Sequence, residues 1–286
     1  MTAARTSFAD VKACYKRRSP YSRKGDNGRV LVVGGSDDFS GAPALAAMGA
    51  LAALRTGADL AVIAAPEKAG WAMSEYSPDV IVKKFRGRVF APAHAAKIAK
   101  LSQGFDSVLI GPGLGTAPPT FSFCRALAGK VKQPMVADAD ALKALAGTRF
   151  SGRTIITPHS GEFEIFARTK LPPPAAVSAR AVLVKRAAKK HGCTILLKGH
   201  ADIISDGARV KLNRTGNAGM AKGGTGDVLA GICAALLALH NAPFEAACAA
   251  AYINGRAGDI LLRKKGYGFI AGDLPQAIPE VIKKLR

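Results

Sequence analysis

The chain has 286 residues, of which 49% are hydrophobic, and its 41 Lys and Arg against 20 Asp and Glu give a formal charge of +21. This length supports one large α/β domain or two small ones with a buried core. The positive excess favours anionic partners, which include nucleic acid, a membrane surface and phosphorylated small molecules.

Several kinds of protein are disfavoured by the composition. The longest apolar stretches, 41–54 and 228–239, are too short to cross a bilayer, and the first twenty residues contain no apolar signal sequence. The five cysteines form no CxxC pair, which indicates reduced thiols rather than a disulfide framework or a zinc site. A cytoplasmic protein without membrane contact is predicted.

Strands and helices alternate along the chain. The run RVLVVGG (29–35) predicts a buried strand, and 41–57 predicts an Ala-rich helix that ends at Gly57. Further strands are predicted within the segments ADLAVIAAP (58–66), SPDVIVKKF (77–85, at a sheet edge), DSVLIGPGLG (106–115), QPMVADADAL (133–142), RTIITPHSGEFEIFA (153–167) and TILLKGHADIISDG (194–207). Residues 226–239 predict an apolar helix, and LPPPAAV (171–177) predicts a loop. The pattern predicts parallel strands with crossover helices in one doubly wound α/β domain, 21–286, after an N-terminal extension of residues 1–20.

Polar segments recur where predicted strands end. They are GGSDDFSGA (34–42), GPGLG (111–115), DADAL (138–142), TPHSGE (157–162), LKGHAD (197–202) and GTGD (224–227). The carboxyl edge of an open α/β sheet is where ligands bind. We therefore expect these six segments to form one site, although ordinary turn chemistry also explains some of the glycines.

The segment GNAGMAKGGTGDVLAG (216–231) places five glycines ahead of Asp227 and an apolar helix. Free amides at a helix start, together with the helix dipole, form an anion site that small residues leave open. Asp227 is either an acid favoured by the dipole in the first helical turn or a base held beside a phosphate. The chain lacks GxxxxGK[ST], and GPGLGTAPP lacks the third glycine of a dinucleotide fingerprint, so neither a Walker loop nor a hydride-transfer Rossmann site is predicted.

These residues resemble the ribokinase-like superfamily, in which GTGD precedes an apolar helix near the end of an α/β chain. Within it, the set is similar to the ADP/ATP-dependent NAD(P)H-hydrate dehydratase family. The matching segments, in the expected order, are KGDNGRVLVVGGS with SGA (24–42), GPGLG, DADAL, TPHSGE, LKGHAD and GNAGMAKGGTGDVLAG. The resemblance covers roughly residues 20 to 285 and implies a three-layer α/β/α fold with a mostly parallel central sheet.

The resemblance implies a hydro-lyase that repairs hydrated NADH or NADPH at the expense of ADP or ATP, with Mg²⁺. Asp227 would take the proton of the ring hydroxyl, and the amides of Gly224, Thr225 and Gly226 would hold the developing charge. Ala42, Gly113 and His159 would contact the hydrated dinucleotide beside Asp227. The adenine nucleotide would be lined by Lys198, Gly199, His200, Ala201, Asp202, Asn217, Ala218, Gly219, Met220, Ala221, Lys222, Gly223, Gly224, Thr225 and Gly226.

Some roles stay open on the residues alone. His159 is a dinucleotide contact or a cap for the helix that begins near Ser160. Asp138, Asp140 and Glu162 are magnesium neighbours or structural caps, so the metal ligands are undetermined. Ala218 and Lys222 stand where the family usually has proline and threonine, and Lys143 stands where asparagine is common, which puts the nucleotide preference in doubt.

Two other functions fit parts of the sequence. A different ribokinase-like kinase, for instance one acting on a vitamin-precursor alcohol, would keep GTGD but not TPHxGE and LKGxxD in this arrangement. A non-enzymatic nucleotide- or nucleic-acid-binding module would use the basic charge, but no aromatic residues are interleaved with it for stacking, so nucleic acid is not the expected partner. By resemblance, a homo-oligomer is expected, and any epimerase would be a separate chain.

Overall fold

The computed structural model describes residues 3–37 and 42–285. Within them, ten strands form a single sheet in the order β1-β10-β9-β8-β7-β6-β5-β2-β3-β4. The strands are β1 (Ala4–Arg5), β2 (Arg29–Val33), β3 (Leu60–Pro66), β4 (Ile81–Phe85), β5 (Ser107–Ile110), β6 (Met135–Ala137), β7 (Thr154–Ile156), β8 (Thr194–Leu197), β9 (Asp202–Ser205) and β10 (Val210–Asn213).

Helices cover both faces of this sheet. They are α1 (Phe8–Cys14), α2 (Ala42–Thr56), α3 (Glu67–Tyr76), α4 (Pro92–Ser102), α5 (Pro118–Ala128), α6 (Asp140–Ala144), α7 (Ser160–Ala167), α8 (Val177–His191), α9 (Thr225–Ala238), α10 (Pro243–Lys265) and α11 (Leu274–Ile282). Alternate strand residues point to opposite faces, so Val30 and Val32 join the core under α2, α9 and α10, whereas Leu31 and Val33 join the core under α4 to α8. The predicted three-layer α/β/α arrangement is confirmed.

The sheet is mostly parallel, but β9 runs antiparallel to both of its neighbours, β8 and β10. The prediction of parallel strands joined by crossover helices is therefore wrong at residues 194–207. Only residues 198–201 separate β8 from β9, and a parallel crossover needs a dozen residues or more, so the chain turns back as a hairpin. Since β10 is again parallel to β8, the loop that follows it starts at the carboxyl edge.

Part of the N-terminal extension is integrated into the fold. Strand β1 pairs with the edge strand β10, and α1 contributes Val11 and Cys14 to the core beneath α10. The division into residues 1–20 and 21–286 stays a prediction.

Helices α2 and α9 cross at two glycines. A Cβ atom placed on Gly231 would lie 2.0 Å from the carbonyl oxygen of Gly49, and one on Gly49 would lie 3.3 Å from the carbonyl oxygen of Asp227. The missing side chains let the two backbones touch. This contact fixes the height of Asp227 above the sheet.

All five cysteines are free and buried. Burial raises the pKa of the thiols of Cys14, Cys124 and Cys193 to about 12 in each case, so these groups stay protonated. The predicted absence of a disulfide framework agrees with this state. Across 3–37 and 42–285, none of the helices combines the length and the hydropathy needed to traverse a bilayer.

Candidate functional site

Side chains from four loops meet at the carboxyl edge of the sheet. Lys198, which follows β8, places its Nζ 3.0 Å from Oδ1 of Asp138, which follows β6. The same Nζ lies 3.8 Å from Oε2 of Glu162 in the first turn of α7. Three of the six predicted segments thus share one buried charge cluster, because neighbouring parallel strands end side by side.

The fourth contribution is the start of α9. The Nζ of Lys198 lies 3.1 Å from the position that a Cβ would occupy on Gly226. A glycine is therefore needed there for the ammonium to sit against the backbone. The predicted phosphate loop and the predicted phosphate-binding lysine are adjacent.

Asp227 is buried, with 8% of its surface exposed. Burial and the nearby charge of Asp138 raise the pKa of its carboxyl to about 7, against the lowering effect of Lys198. A carboxyl with this pKa exchanges a proton near neutral pH, which suits a general base. Asp227 also lies in the first turn of α9, where the helix dipole favours an acid. An acid favoured by the dipole and a base beside a phosphate are therefore compatible roles for this residue.

Lys198 carries the counter-charge. Burial lowers its pKa, but the charges of Asp138, Glu162 and Asp227 outweigh that effect, so its pKa is above the ordinary value. The ammonium therefore remains protonated in the cluster. One cation faces three carboxyl groups, which leaves the cluster with an excess of negative charge when all are ionised.

The conformation of the glycine-rich loop is stabilised by a hydrogen bond from a side chain to the loop's own backbone and by close packing at one glycine. The hydroxyl of Thr225 donates to the carbonyl oxygens of Met220 (2.9 Å) and Lys222 (3.0 Å). Gly224 has a φ of 92°, and a Cβ there would lie 2.8 Å from Cβ of Ala271. Both the conformation and the contact require glycine at this position.

Lys222 and Asn217 tie this loop to α10 and the segment after it. The ammonium of Lys222 donates to the carbonyl oxygens of Tyr267 and Phe269, both at 2.6 Å. Asn217 accepts from the amide of Gly219 and donates to Oδ1 of Asp259 at 3.2 Å. Lys222, which stands where the family usually has threonine, therefore stabilises the loop. A direct contact of Lys222 with nucleotide stays a prediction.

His159 caps α7. Its Nδ1 accepts from the amides of Gly161 (3.1 Å) and Glu162 (3.3 Å), while its own amide donates to Oε2 of Glu162 at 2.8 Å. This reciprocal arrangement confirms the capping reading. The side chain is 61% exposed, which leaves the ring accessible, and its contact with a dinucleotide remains untested.

The GPGLG loop is packed against the DADAL segment. A Cβ on Gly111 would lie 1.8 Å from the carbonyl oxygen of Asp138, and the amide of Gly115 donates to Oδ2 of Asp140 at 2.9 Å. Asp140 also pairs with Lys143 at 3.0 Å. Gly113 lies in this loop with a φ of 63°. Asp140 is thus a structural anchor of the loop.

The remaining predicted nucleotide residues form the turn between β8 and β9. Oδ1 of Asp202 accepts from the amide of Gly199 at 3.0 Å, and Oδ2 accepts from Asn213 at 2.9 Å. Burial raises the pKa of Asp202 to about 6. Asp202 shapes the turn that carries Gly199, His200 and Ala201, and a direct nucleotide contact stays a prediction.

Part of the predicted dinucleotide site begins α2. Ala42 is the first residue of this helix. Ser40 and Gly41, which complete the SGA segment, lie outside the described residues, as do residues 38 and 39 of GGSDDFSGA.

Carboxylates for a magnesium ion are present but already partnered. Over residues 3–37 and 42–285, no group of three or more His, Cys, Asp or Glu side chains is placed to hold a metal. Mg²⁺ is typically held by one or two carboxylates together with substrate phosphates rather than by a protein cage. Among the described residues, Asp138 accepts from Thr157 and Lys198 through Oδ1, and Glu162 accepts from the amide of His159 through Oε2, so each fits that mode with its other oxygen. Both oxygens of Asp140 are used, by Gly115 and by Lys143.

Two residues of the site, Thr157 and Phe269, were not predicted individually from the sequence. The hydroxyl of Thr157 donates to Oδ1 of Asp138 at 2.8 Å, and the ring of Phe269 packs where a Cβ on Gly219 would be, 2.7 Å away. Thr157 opens the TPHSGE segment, so its motif was a usable signal. Phe269 has no local signal, because its contact joins distant parts of the chain.

The chain matches a known protein family over most of its length. A family model described as NAD(P)H-hydrate dehydratase matches residues 30–280. The chain is 48% identical over 265 residues to a bifunctional NAD(P)H-hydrate repair enzyme from Pyrobaculum aerophilum, covering 92% of this chain and 52% of that protein. The chain spans about half the length of the first curated relatives it matches.

Two further proteins match over their whole length. The ADP-dependent (S)-NAD(P)H-hydrate dehydratase of Cenarchaeum symbiosum is 40% identical over 287 residues, covering 99% of this chain and 98% of that protein. The crystal structure of the ADP/ATP-dependent NAD(P)H-hydrate dehydratase of Bacillus subtilis, co-crystallised with ATP and Mg²⁺, is 28% identical with a TM-score of 0.85, covering 100% of both chains. The predicted ribokinase-like fold is confirmed, and the chain belongs to the NAD(P)H-hydrate dehydratase family.

Proposed function

We propose that this chain catalyses the ADP- or ATP-dependent dehydration of hydrated NADH and NADPH. The observation that carries the proposal is the buried carboxyl of Asp227, which has a pKa of about 7 and lies in the first turn of the helix whose Gly226 meets the ammonium of Lys198. That arrangement supplies a base, an anion-binding backbone and a phosphate-neutralising cation within one site. Hydroxide leaves poorly from carbon, whereas a phosphate ester leaves readily, so phosphorylation would make the dehydration feasible.

In the first step, Asp227 would accept the proton of the ring hydroxyl as its oxygen attacks the terminal phosphorus of the nucleotide. The bond from that phosphorus to the rest of the nucleotide breaks, and ADP leaves when ATP is the donor. Preorganised amides of Gly224, Thr225 and Gly226 would stabilise the charge on the transferring group. Positioning and charge stabilisation carry most of phosphoryl transfer.

In the second step, the lone pair of the ring nitrogen would expel the phosphate. The carbon–oxygen bond breaks, a ring proton is lost, and the dihydronicotinamide is restored. Asp227, protonated in the first step, must return its proton to solvent before the next cycle. Its pKa near neutrality allows that exchange at physiological pH.

Magnesium fits the donor set of this site. Asp138 and Glu162 would hold the ion together with nucleotide phosphates, and the ion would neutralise phosphate charge. Lys198 would share that task from the side of Gly226.

The test is product analysis with purified protein. Hydrated NADH or NADPH is incubated with ATP or ADP, and the absorbance band of the reduced nicotinamide is followed together with phosphate release. We expect the band to recover with one phosphate released per cofactor. Absence of recovery, with stable phosphorylation of a vitamin-precursor alcohol instead, would favour a different ribokinase-like kinase.

The cellular setting is part of the same proposal. We expect a cytoplasmic homo-oligomer. The free, buried cysteines are compatible with a reducing compartment.

A further inference from the structure

Arg180 is a buried cation, and within the described residues no carboxylate forms a hydrogen bond or ion pair with it. It lies in the first turn of α8, and only 5% of its surface is exposed. One guanidinium nitrogen, Nη2, donates to the hydroxyl of Ser160, and the buried Nε has no acceptor. Within the described part of the chain, Arg180 forms no ion pair with a carboxylate.

A buried guanidinium is costly unless it is paired. Glu164 on α7 interacts with the charge of Arg180 only weakly, because its oxygens accept from the amide of Leu171 at 2.9 Å and from Nζ of Lys170 at 3.2 Å. The buried guanidinium therefore has one neutral hydroxyl as its hydrogen-bond acceptor, and its Nε has none. Such a charge is compensated when an anion binds.

The position of Arg180 points to the anion. Ser160 directly follows His159, the proposed dinucleotide contact, and is the first residue of α7. The start of a helix favours negative charge, and the planar fork of arginine matches phosphate oxygens. Because Ser160 is next to His159 in the chain and hydrogen-bonded to Arg180, a phosphate bound beside His159 would also lie close to this pair.

We propose that Arg180 and Ser160 form a phosphate-binding subsite for the hydrated dinucleotide. The inference rests on the proposed function for the identity of the ligand. Two phosphates of the dinucleotide share this chemistry: the pyrophosphate, present in NADH and NADPH alike, and the 2′-phosphate, present only in NADPH. The second case would make Arg180 the determinant of preference between the two cofactors.

Direct binding separates these cases without relying on turnover. Affinities of NADH, NADPH and ADP are measured by calorimetry for the wild type and for Arg180→Gln, with Lys190→Gln as the control on the exposed side of the same helix. We expect Arg180→Gln to weaken dinucleotide binding about tenfold or more while ADP binding is unchanged. A loss for NADPH alone assigns the 2′-phosphate, and an equal loss for both assigns the pyrophosphate.

Other outcomes would overturn the subsite. These are unchanged affinity for both dinucleotides in Arg180→Gln, an equal loss in Lys190→Gln, or a loss confined to ADP. If Arg180→Gln does not fold, Ser160→Ala replaces it, with an expected loss of about threefold or more and the same contradicting result. The two proposals fail in different ways. A wrong subsite leaves dinucleotide binding unchanged in Arg180→Gln, whereas a wrong dehydratase proposal shows as absent turnover of the wild type although the dinucleotides bind.

Discussion

Asp227 shares a buried cluster with Asp138, Glu162 and Lys198, and its protonation depends on all three. Burial and the charge of Asp138 raise the pKa of Asp227 to about 7, while Lys198 lowers it. A base must be ionised to accept a proton, so the proposed reaction is slow below this pKa and fast above it. The neighbours of Asp227 therefore set the pH range in which it acts.

Two charge-removing variants should move the acid limb of the rate profile in opposite directions. The wild-type kcat/KM, which reports the pKa values of the free enzyme, should rise about tenfold per pH unit below 7 and level off above it. Asp138→Asn removes a negative charge and should shift this limb to lower pH, whereas Lys198→Met removes a positive charge and should shift it higher, each by about 1 unit. Profiles of kcat/KM against pH measure both shifts.

The surface pair Lys170 and Glu164 serves as the control, because a change such as Lys170→Met leaves the cluster intact. Shifts of the same sign in Asp138→Asn and Lys198→Met would contradict the assignment of the limb to Asp227.

At the scale of elements, the crossing of α2 and α9 places the base. Gly49 and Gly231 let the two helices touch, and Gly49 also lies against the carbonyl oxygen of Asp227. Helix α9 is buried from Asp227 to Ala238, so its position has little freedom. A change in the crossing is therefore transmitted to the start of α9.

Gly231→Ala should be strongly destabilising. Its Cβ would lie 2.0 Å from the carbonyl oxygen of Gly49, in a contact between two backbones that cannot move aside cheaply. We expect a loss of about 2 kcal/mol or more in the free energy of unfolding and a fall in kcat, measured by denaturant titration and by turnover. Gly104→Ala is the control, because its nearest neighbour would be 3.7 Å away. Equal stability of the two variants would disprove the close crossing.

At the scale of the whole molecule, local signals predicted what is local. Strand β2 and the GTGD helix start follow from hydrophobic runs and glycine punctuation, and their meeting follows from the parallel sheet. The β8–β9 hairpin was missed because ADIIS has the apolar character of a strand or a helix, and only the shortness of the preceding turn decides between them.

Contacts between distant segments could not be predicted. The partners of Lys222 lie 45 and 47 residues further along the chain, and Arg180 meets Ser160 across 20 residues with no motif to announce it. Such pairings depend on how helices dock, which periodicity does not specify. Which carboxylates remain for magnesium likewise depends on contacts in the folded protein. Asp140 is an example, because its carboxylate accepts a hydrogen bond from the amide of Gly115.

The positive charge of the molecule is also unevenly placed. Part of it lines a groove of about 1010 Å³ along α8 and the β10 edge, with Arg5, Lys185, Arg186, Lys189 and Arg214 in its walls. None of these residues belongs to the predicted nucleotide loop. Asp206 is also in the walls of the groove, so these five basic side chains leave the groove with a net positive charge.

A structure of the protein with ATP and a reduced dinucleotide tests the central claim most directly. We expect the terminal phosphate at the amides of Gly224, Thr225 and Gly226, next to Nζ of Lys198, with the nicotinamide ring facing the carboxyl of Asp227. Nucleotide bound only in the groove along α8, or a nicotinamide ring turned away from Asp227, would contradict the account.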